Sequence, residues 1–158
     1  MNDFSHIDIN GKPVMVDVGA KKITQRSATA ESIVFLPGEV LNKLVNGDIQ
    51  TKKGAVFQTA VIAGIMAAKK TGELIPLCHP LGLDNCAIDI KLNNKNEVVI
   101  TATAGIESKT GVEMEALVGA SIAALTVYDM CKALSHDIVI KETKLIKKTG
   151  GKKDFERK

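Results

Sequence analysis

The chain contains four segments in which larger apolar residues alternate with small or polar ones, a period of two that predicts β-strands. In the clearest segment, Ile88, Ile90 and Leu92 are separated by single residues that include Asp89 and Lys91. Such a strand has one face toward a core and the other toward solvent. Strands are predicted over residues 23–36, 88–92, 98–106 and 138–146, with a further short strand over 14–18.

Two runs of small and aliphatic residues are long enough for helices. Residues 55–70 are rich in Ala, Ile and Met and are followed by Gly72, while residues 112–134 form the longest run. The small residues of the first run permit close packing against a neighbouring element. A third, short helix is predicted between Pro37, which suits a first helical turn, and Gly47, which suits a helix end.

From residue 23 the predicted order is strand, helix, strand, strand, helix, strand, with the short helix inserted early. This is the split βαββαβ order of a ferredoxin-like α+β fold, an antiparallel sheet with its helices on one face. The other face would need a partner layer, which oligomerisation would provide, because an apolar sheet face is not left open to water. We expect one domain over residues 1–158, with 1–7 and 151–158 flexible.

Composition excludes several function classes. The chain is 45% apolar and 25% charged, as in folded soluble proteins, but only 3% aromatic, which argues against base-stacking platforms for single-stranded nucleic acid. Its longest apolar stretch, residues 61–68, is too short to span a bilayer, and no signal peptide is evident. Cys78, Cys86 and Cys131 show no CxxC spacing, which predicts free thiols in the cytoplasm.

Lysine and glycine cluster in two turns, residues 52–54 and residues 147–152, and the net charge is +3. Turns of this kind suit phosphate groups, although GxxxxGK[ST], the P-loop pattern, is missing from the chain. The basic C-terminal segment is most simply a solvated tail, with phosphate or nucleic-acid binding as the alternative.

The segment ELIPLCHPLGLDNC holds Cys78 and His79 between Pro76 and Pro80. Proline restricts the residue before it to extended backbone, so His79 points from a stiff loop. A buried thiol and a satisfied structural histidine are the simplest interpretation. A metal site is not expected, because the usual ligand spacings are missing, and a cysteine nucleophile would need a nearby base that the sequence does not show.

Two carboxylates open the longest predicted helix and an acid–base pair closes it. Glu113 and Glu115 suit the positive end of the helix dipole, and they point about 200° apart, so at most one should face a small pocket. Asp129 and Lys132 share a face three residues apart. Either they form an exposed ion pair of little consequence or they are a proton-transfer couple, since an aspartate near a helix C-terminus opposes the dipole.

The two ends of this helix cannot meet on one small substrate. Glu113 and Asp129 are 16 residues apart, which corresponds to about 24 Å along a straight helix. A site that uses both ends must therefore combine two chains.

Several long segments, in order, resemble one known family. They are MVDVGAKKITQRSATA, KKGAVFQTAVIAGIMAAKKTGELIPLCHPLGLDNC and GVEMEALVGASIAALTVYDMCKAL, followed by IKKTGGKK. Together they resemble the cyclic pyranopterin monophosphate synthases, the molybdenum cofactor biosynthesis protein C family, over roughly residues 4–152. The resemblance implies a lyase that converts 3′,8-cyclo-7,8-dihydro-GTP to cyclic pyranopterin monophosphate and releases pyrophosphate. It also implies a homohexamer, a trimer of dimers, with no redox step and no cofactor, while a divalent ion bound with pyrophosphate stays open.

The resemblance also implies roles for individual residues. Asp129 and Lys132 would exchange protons, and His79 and Glu115 would position the ring derived from guanine. The triphosphate or its product would be held by Lys53, Lys148 and Arg26. The substrate-binding positions implied in this way are Leu77, Cys78, His79, Glu113, Met114, Glu115, Arg26, Lys53 and Lys148.

Two departures from the family pattern are visible. Family members commonly have an acidic residue after the Lys-Gly pair, where this chain has Ala55. The segment SHDIVI replaces a more usual glycine-containing turn before the last strand.

Two other functions compete with this interpretation. An oligomeric nucleotide- or RNA-binding module without catalysis would be favoured by aromatic residues on the central strands, but aliphatic residues occupy positions 88, 90, 98 and 100. A cysteine hydrolase would use Cys78 and His79 as its nucleophile and base.

Overall fold

A computed structural model describes residues 6–158 and contains one large antiparallel sheet, a small hairpin region and two long helices. The predicted alternation and the predicted apolar runs account for the long elements, whose ends lie within a few residues of the expected ones. In chain order the elements are β1 (Thr24–Phe35), α1 (Gly38–Leu41), β2 (Leu44–Val45), β3 (Asp48–Thr51), β4 (Gly54–Ala55), α2 (Val56–Ala68), α3 (Thr71–Leu74), β5 (Asn85–Leu92), β6 (Glu97–Ser108), α4 (Glu113–Cys131), β7 (Val139–Thr149) and β8 (Phe155–Glu156).

The strand order in the large sheet is β5-β6-β1-β7-β8, and every pairing is antiparallel. With α2 and α4 as the two long helices, this is the predicted ferredoxin-like split βαββαβ order, in which β1 and β6 lie side by side in the centre. The sheet places the C-terminal part of β7 beside the N-terminal part of β1, since Ser27 pairs with Thr149. This register brings the basic turn after β7 close to the start of β1.

The core lies between the sheet and the two long helices. Ala28, Ala30 and Val34 of β1 alternate inward, as the period of two predicts. Where α2 and α4 pack together, a Cβ atom on Gly64 would lie 2.7 Å from the carbonyl oxygen of Gly119. The expectation that small residues allow close packing is confirmed at this point.

Helix α4 is the described helix that is long and apolar enough to match a membrane span by length and composition. Half of its most apolar window is nevertheless buried inside the fold. Ala116, Ala120, Ala123 and Val127 on this helix are fully buried. Its apolar character is therefore accounted for by its place in the core.

The open face of the sheet is more polar than expected. Thr29 and Thr103 are joined by a hydrogen bond of 3.1 Å between their hydroxyl oxygens, and Lys144 lies between Glu31 and Glu142. The expectation of an apolar open face is wrong for the middle of this surface, because the outward positions of the alternation carry threonine and charged residues. The exposed apolar side chains are more prominent on the helix layer, where Ile62, Met66 and Leu125 are 59%, 55% and 52% exposed.

Two short elements differ from their predictions. Residues 14–18 form no strand, and the nearest pairing is a single bridge between Ile7 and Pro13. The predicted helix after Pro37 ends at Leu41, because Asn46 (φ 52°) and Gly47 (φ 82°) form the two-residue turn of a hairpin between β2 and β3. Two successive residues with positive φ are typical of a type I′ turn, and Asn-Gly favours it.

The two ends of the chain were both predicted to be flexible. Residues 1–5 of the N-terminal prediction lie outside the described residues. In the C-terminal segment, β8 pairs with β7, and Glu156 forms an ion pair of 3.6 Å with Lys147. Residues 151–158 thus include a short strand at the edge of the sheet.

Candidate active site

Two adjoining cavities lie at the N-terminal end of α4, and a third lies at its C-terminal end. Their volumes are about 790, 510 and 610 Å³. The first two share part of their lining, so they form one extended depression in the described part of the chain. The shared residues are Lys21, Thr110, Gly111, Glu113 and Lys152.

The larger of the two adjoining cavities, the basic cavity, is lined by Arg26, Lys148 and the turn that follows β7. The Arg26 side chain is fixed by hydrogen bonds that its Nε and Nη2 donate to the carbonyl oxygens of Ser108 and Lys109, at 3.4 and 3.2 Å. Lys148 Nζ lies 3.0 Å from Glu113 Oε1. The cavity therefore presents cations that are held in place by neighbouring groups, which suits an anionic ligand.

Gly150 allows the turn after β7 to pass close to β1. Its φ is +84°, and a Cβ atom at this position would collide with the carbonyl group of Gln25. Its own carbonyl oxygen accepts a hydrogen bond of 2.8 Å from the Thr24 hydroxyl group. Because only glycine adopts this backbone at low cost next to another strand, the basic wall depends on it.

The second cavity, the carboxylate cavity, contains the segment Leu77–His79 together with the first turn of α4. His79 Nε2 lies 2.8 Å from the carbonyl oxygen of Val16, which belongs to the irregular N-terminal segment. The stiff loop thus ties the histidine to a second part of the chain. Burial raises the pKa of the Cys78 thiol, and the charge of Glu115 raises it further, so Cys78 is a poor candidate for a nucleophilic thiolate.

Glu113, Met114 and Glu115 all line the carboxylate cavity. The expectation that only one of the two glutamates faces a small pocket is wrong, because the cavity wraps around the end of α4 and Glu113 is the first residue of the helix. Glu115 is only 3% exposed. Burial raises the pKa of its carboxyl group, the charge of Glu113 raises it to a smaller extent, and a hydrogen bond to backbone opposes both.

At the other end of α4, Asp129 lies between two lysines. Its carboxylate oxygens are 2.7 Å from Lys132 Nζ and 3.2 Å from Lys53 Nζ. Hydrogen bonds from Lys132 and then Lys53 lower the pKa of Asp129, and the Asp129 carboxylate raises the pKa of Lys132. At neutral pH both groups are therefore charged, and the ion pair makes Asp129 a weaker base and Lys132 a weaker acid than either side chain alone.

Lys53 does not join the basic cavity, where the resemblance grouped it with Lys148 and Arg26. The β3–β4 hairpin places it in the third cavity, the lysine–aspartate cavity, with Asp129 and Lys132. The two groups of predicted residues thus lie at opposite ends of one continuous helix, as their spacing in the sequence predicts.

Some lining residues were missed by sequence reasoning. Lys21, Lys22 and Lys109 line the basic cavity, and Lys109 Nζ donates a hydrogen bond of 2.8 Å to the carbonyl oxygen of Gly19. The signal in the sequence was the Lys21-Lys22 pair two residues after Gly19. It resembles the lysine- and glycine-containing turns at residues 52–54 and 147–152. Among residues 6–158, no group of three or more His, Cys, Asp or Glu side chains lies close enough to hold a metal ion.

Comparison with known proteins identifies the family. The model of the MoaC family matches residues 15–151, which is most of the chain. The chain belongs to the MoaC family. The matched range contains every predicted site residue, from Arg26 of β1 to Lys148 of β7.

Relatives of this MoaC family member differ in length. This chain is 53% identical over 152 residues to a protein from Xanthomonas campestris pv. campestris (strain B100) named cyclic pyranopterin monophosphate synthase, and the match covers 92% of that protein. It is 49% identical over 168 residues to molybdenum cofactor biosynthesis protein 1 of Dictyostelium discoideum, but spans only 27% of that protein. It is 50% identical over 155 residues to the molybdenum cofactor biosynthesis bifunctional protein of Synechocystis, and spans 45% of it. In each case 96% of this chain is covered.

The buried carboxylate of Glu115 predicts a pH-dependent cost to stability. Above its raised folded-state pKa, Glu115 is charged in both states and the folded state bears the cost of burial. Below the unfolded-state pKa, about 4.3, it is protonated in both states and the cost disappears. Glu115→Gln should therefore raise the free energy of unfolding at pH 7 by about 1 kcal/mol, or the Tm by about 2–4 °C, with no gain near pH 4.

Thermal unfolding of both proteins between pH 4 and pH 8 measures this difference. Glu107→Gln, an exposed glutamate on β6, is the matched control and should leave the Tm unchanged at every pH. A lower Tm for Glu115→Gln at pH 7 would show that the charge at this position stabilises the fold.

Proposed function

We propose that this protein is a lyase that converts 3′,8-cyclo-7,8-dihydro-GTP to cyclic pyranopterin monophosphate with release of pyrophosphate, an early step of molybdenum cofactor biosynthesis. The observation that carries the proposal is the junction of a basic cavity with a cavity lined by His79 and two glutamates. A substrate with a triphosphate at one end and a polar fused ring at the other matches this pair of cavities. The 53% identity to the Xanthomonas synthase supports the same reaction.

The basic cavity is the proposed site of the phosphate groups. Arg26 and Lys148 face it from neighbouring strands, and the lysines missed from sequence add further positive charge. Charged donors that are already oriented stabilise the negative charge of a departing pyrophosphate without reorganisation during the reaction. The ion pair between Lys148 and Glu113 would open or adjust when the phosphate binds.

The carboxylate cavity is the proposed site of the ring derived from guanine. His79 and Glu115 offer hydrogen-bonding groups, while Leu77, Cys78 and Met114 line the walls. A carboxyl group with a raised pKa also holds a proton more readily than an exposed one, so Glu115 suits a donor to a ring atom.

The lysine–aspartate cavity is the proposed site of proton exchange. Asp129 is the acceptor and Lys132 the donor once a bound substrate separates the pair, and Lys53 is a second cation beside the carboxylate, so the cluster carries a net positive charge. Rearranging carbon atoms and closing a cyclic phosphate require proton transfers but no net oxidation. The proposed chemistry therefore needs no redox cofactor, and a divalent ion bound together with pyrophosphate stays open.

Because these groups lie at opposite ends of α4, we infer that the working protein is a homo-oligomer in which one chain supplies Asp129 and another supplies Glu115. The exposed apolar side chains of Ile62, Met66 and Leu125 provide a contact surface on the helix layer. A hexamer built as a trimer of dimers, in the cytoplasm, is the assembly that we propose. The three free cysteines are compatible with a reducing compartment.

A nucleotide- or RNA-binding module without catalysis is the second candidate, and the basic cavity is the observation that favours it. Within the described residues, the aromatic side chain on the central strands β1 and β6 is Phe35, the last residue of β1, and one ring at the end of a strand does not form a base-stacking platform, which argues against RNA. The carboxylate of Asp129 between Lys53 and Lys132 is an acid–base arrangement that favours the enzyme over a simple binding module.

Incubation of the purified protein with authentic 3′,8-cyclo-7,8-dihydro-GTP separates the two candidates. We expect stoichiometric release of pyrophosphate together with a product of the mass of cyclic pyranopterin monophosphate. GTP in place of the cyclised substrate is the control and should release none. Binding of the substrate without pyrophosphate release would favour the module instead.

A further inference from the structure

Helix α2 begins without a side-chain cap of its own. Its N-cap residue is Ala55, whose φ and ψ of −72° and 124° are typical of an N-cap but whose methyl group accepts no hydrogen bond. The amide groups of the first helical turn have no partner within the helix and require an acceptor from elsewhere.

Asp48 supplies that acceptor from the start of β3. Its Oδ1 accepts hydrogen bonds from the amides of Phe57 and Ile49 at 2.8 and 2.6 Å, and its Oδ2 accepts one from Gln58 at 3.1 Å. Phe57 and Gln58 are the second and third residues of α2, the positions that an N-cap side chain normally reaches. One carboxylate thus replaces the missing cap and also favours the positive end of the helix dipole.

These hydrogen bonds close the base of the hairpin that carries Lys53. Between Asp48 and α2 the chain runs out along β3 and back along β4, with Lys53 at the tip. Within the tip, the hydroxyl group of Thr51 donates to the carbonyl oxygen of Gly54 at 3.0 Å and accepts from the amide of Lys53 at 3.1 Å. The tip is therefore ordered internally, while Asp48 fixes its orientation relative to the helices.

The position of Asp48 also brings it toward the C-terminal end of α4. Burial raises the pKa of the Cys131 thiol to about 11, and the charge of Asp48 is the second cause. Cys131 lies two residues after Asp129. The carboxylate of Asp48, which is hydrogen-bonded to the start of α2, is thus close enough for its charge to act on the end of α4 that carries the acid–base pair.

We propose that Asp48 is a positioning residue, which caps α2 in place of Ala55 and thereby holds Lys53 within hydrogen-bonding distance of Asp129. The consequence for turnover rests on the proposed function. The consequence for the structure does not, because it concerns only the contact between Lys53 and Asp129.

The test compares Asp48→Ala with the double variant Asp48→Ala/Ala55→Asp, in which an aspartate at the N-cap position itself replaces the lost acceptor. Asp48→Asn keeps one carbonyl oxygen as an acceptor, so its Tm and kcat should lie between those of wild type and Asp48→Ala. Asp89→Ala is the matched control, because Asp89 is an exposed aspartate on β5 that pairs with Lys91 at 2.7 Å.

We expect Asp48→Ala to lower the Tm by about 2–6 °C, as for loss of an N-cap in a domain of this size. At 15 °C, where the variant is still folded, kcat should fall by about 10- to 100-fold while KM changes less than about 3-fold, since misplacement of a reacting group acts on the chemical step. The pKa of Asp129, measured by NMR of carboxyl-labelled protein, should rise because its hydrogen bond from Lys53 is lost. Asp48→Ala/Ala55→Asp should restore all three quantities, and Asp89→Ala should change none.

Two results would overturn the proposal. If folded Asp48→Ala keeps the wild-type kcat and the wild-type pKa of Asp129, then Asp48 contributes to stability alone. If the double variant recovers neither quantity, capping of α2 is not the means by which Lys53 is held. If wild type shows no turnover of the cyclised GTP, the proposed function fails, while the Tm and the pKa of Asp129 still decide this inference without substrate.

Discussion

Replacing Asp129 with asparagine should lower turnover of 3′,8-cyclo-7,8-dihydro-GTP by about 100- to 10,000-fold, the usual contribution of a positioned acid or base. Asparagine keeps the shape of the side chain but neither carries the charge nor accepts the proton. Lys132 and Lys53, at 2.7 and 3.2 Å from the carboxylate, would also lose their common partner. Because the pair is half exposed, with side-chain exposures of 50% and 53% for Lys132 and Asp129, the fold should tolerate the change.

The measurement is steady-state release of pyrophosphate by protein whose Tm and oligomeric state match wild type. Asp89→Asn is the matched control, since it breaks another exposed aspartate–lysine pair away from the three cavities, and it should retain wild-type turnover. Lys132→Ala should lose activity to a similar extent. Turnover by Asp129→Asn within about 3-fold of wild type would remove this residue from the acid–base role.

The second prediction concerns two variants that restore each other: Glu115→Gln, which removes the proposed proton donor to the ring and should therefore lose most of the turnover, and Asp129→Asn, which removes the proposed proton acceptor. Glu115→Gln and Asp129→Asn change opposite ends of α4, about 20 Å or more apart. If one chain supplies each end, a refolded equimolar mixture contains sites in which neither contributing residue is substituted. Such sites make up about a quarter of the total, because each of the two positions is intact with a chance of about one half. We therefore expect about a quarter of wild-type turnover from a mixture of nearly inactive proteins.

The control for this experiment is an equimolar mixture of Asp129→Asn and Lys132→Ala. These residues belong to the same end of the same helix and are 2.7 Å apart, so no chain in the mixture supplies an intact pair. That mixture should remain inactive. Absence of recovery in the first mixture, with mixed oligomers demonstrated by mass spectrometry, would contradict a site shared between chains.

The order of the long strands and helices could be predicted, because the type of each element follows from the periodicity of its own apolar residues. In β1 and β6 every second side chain is buried against the helices, and the same alternation is visible in the sequence. The short elements were less predictable: Pro37 and Gly47 suggested a helix, whereas Asn46 and Gly47 form the turn of a hairpin. Both residues of such a turn have positive φ, a feature that a helix-end glycine shares.

The candidate site was only partly predictable, for a similar reason. Asp129 and Lys132 are three residues apart on a helix, so helical geometry alone brings them together. Lys53 is 76 residues from Asp129, and its place depends on the hairpin between β3 and β4. The sequence indicated that Lys53 is a functional residue, but not which end of α4 it serves.

Taken by itself, the sequence determined the strand and helix order, the family, and the separation of Glu113 from Asp129 along one helix, because each follows from local periodicity or from matched segments. The tertiary structure alone decided that Lys53 lies beside Asp129, that both glutamates line one cavity, and that Asp48 caps α2 in place of Ala55. These contacts join residues far apart in the chain. They are set by strand register and by the path of short turns, which no local pattern of polar and apolar residues encodes.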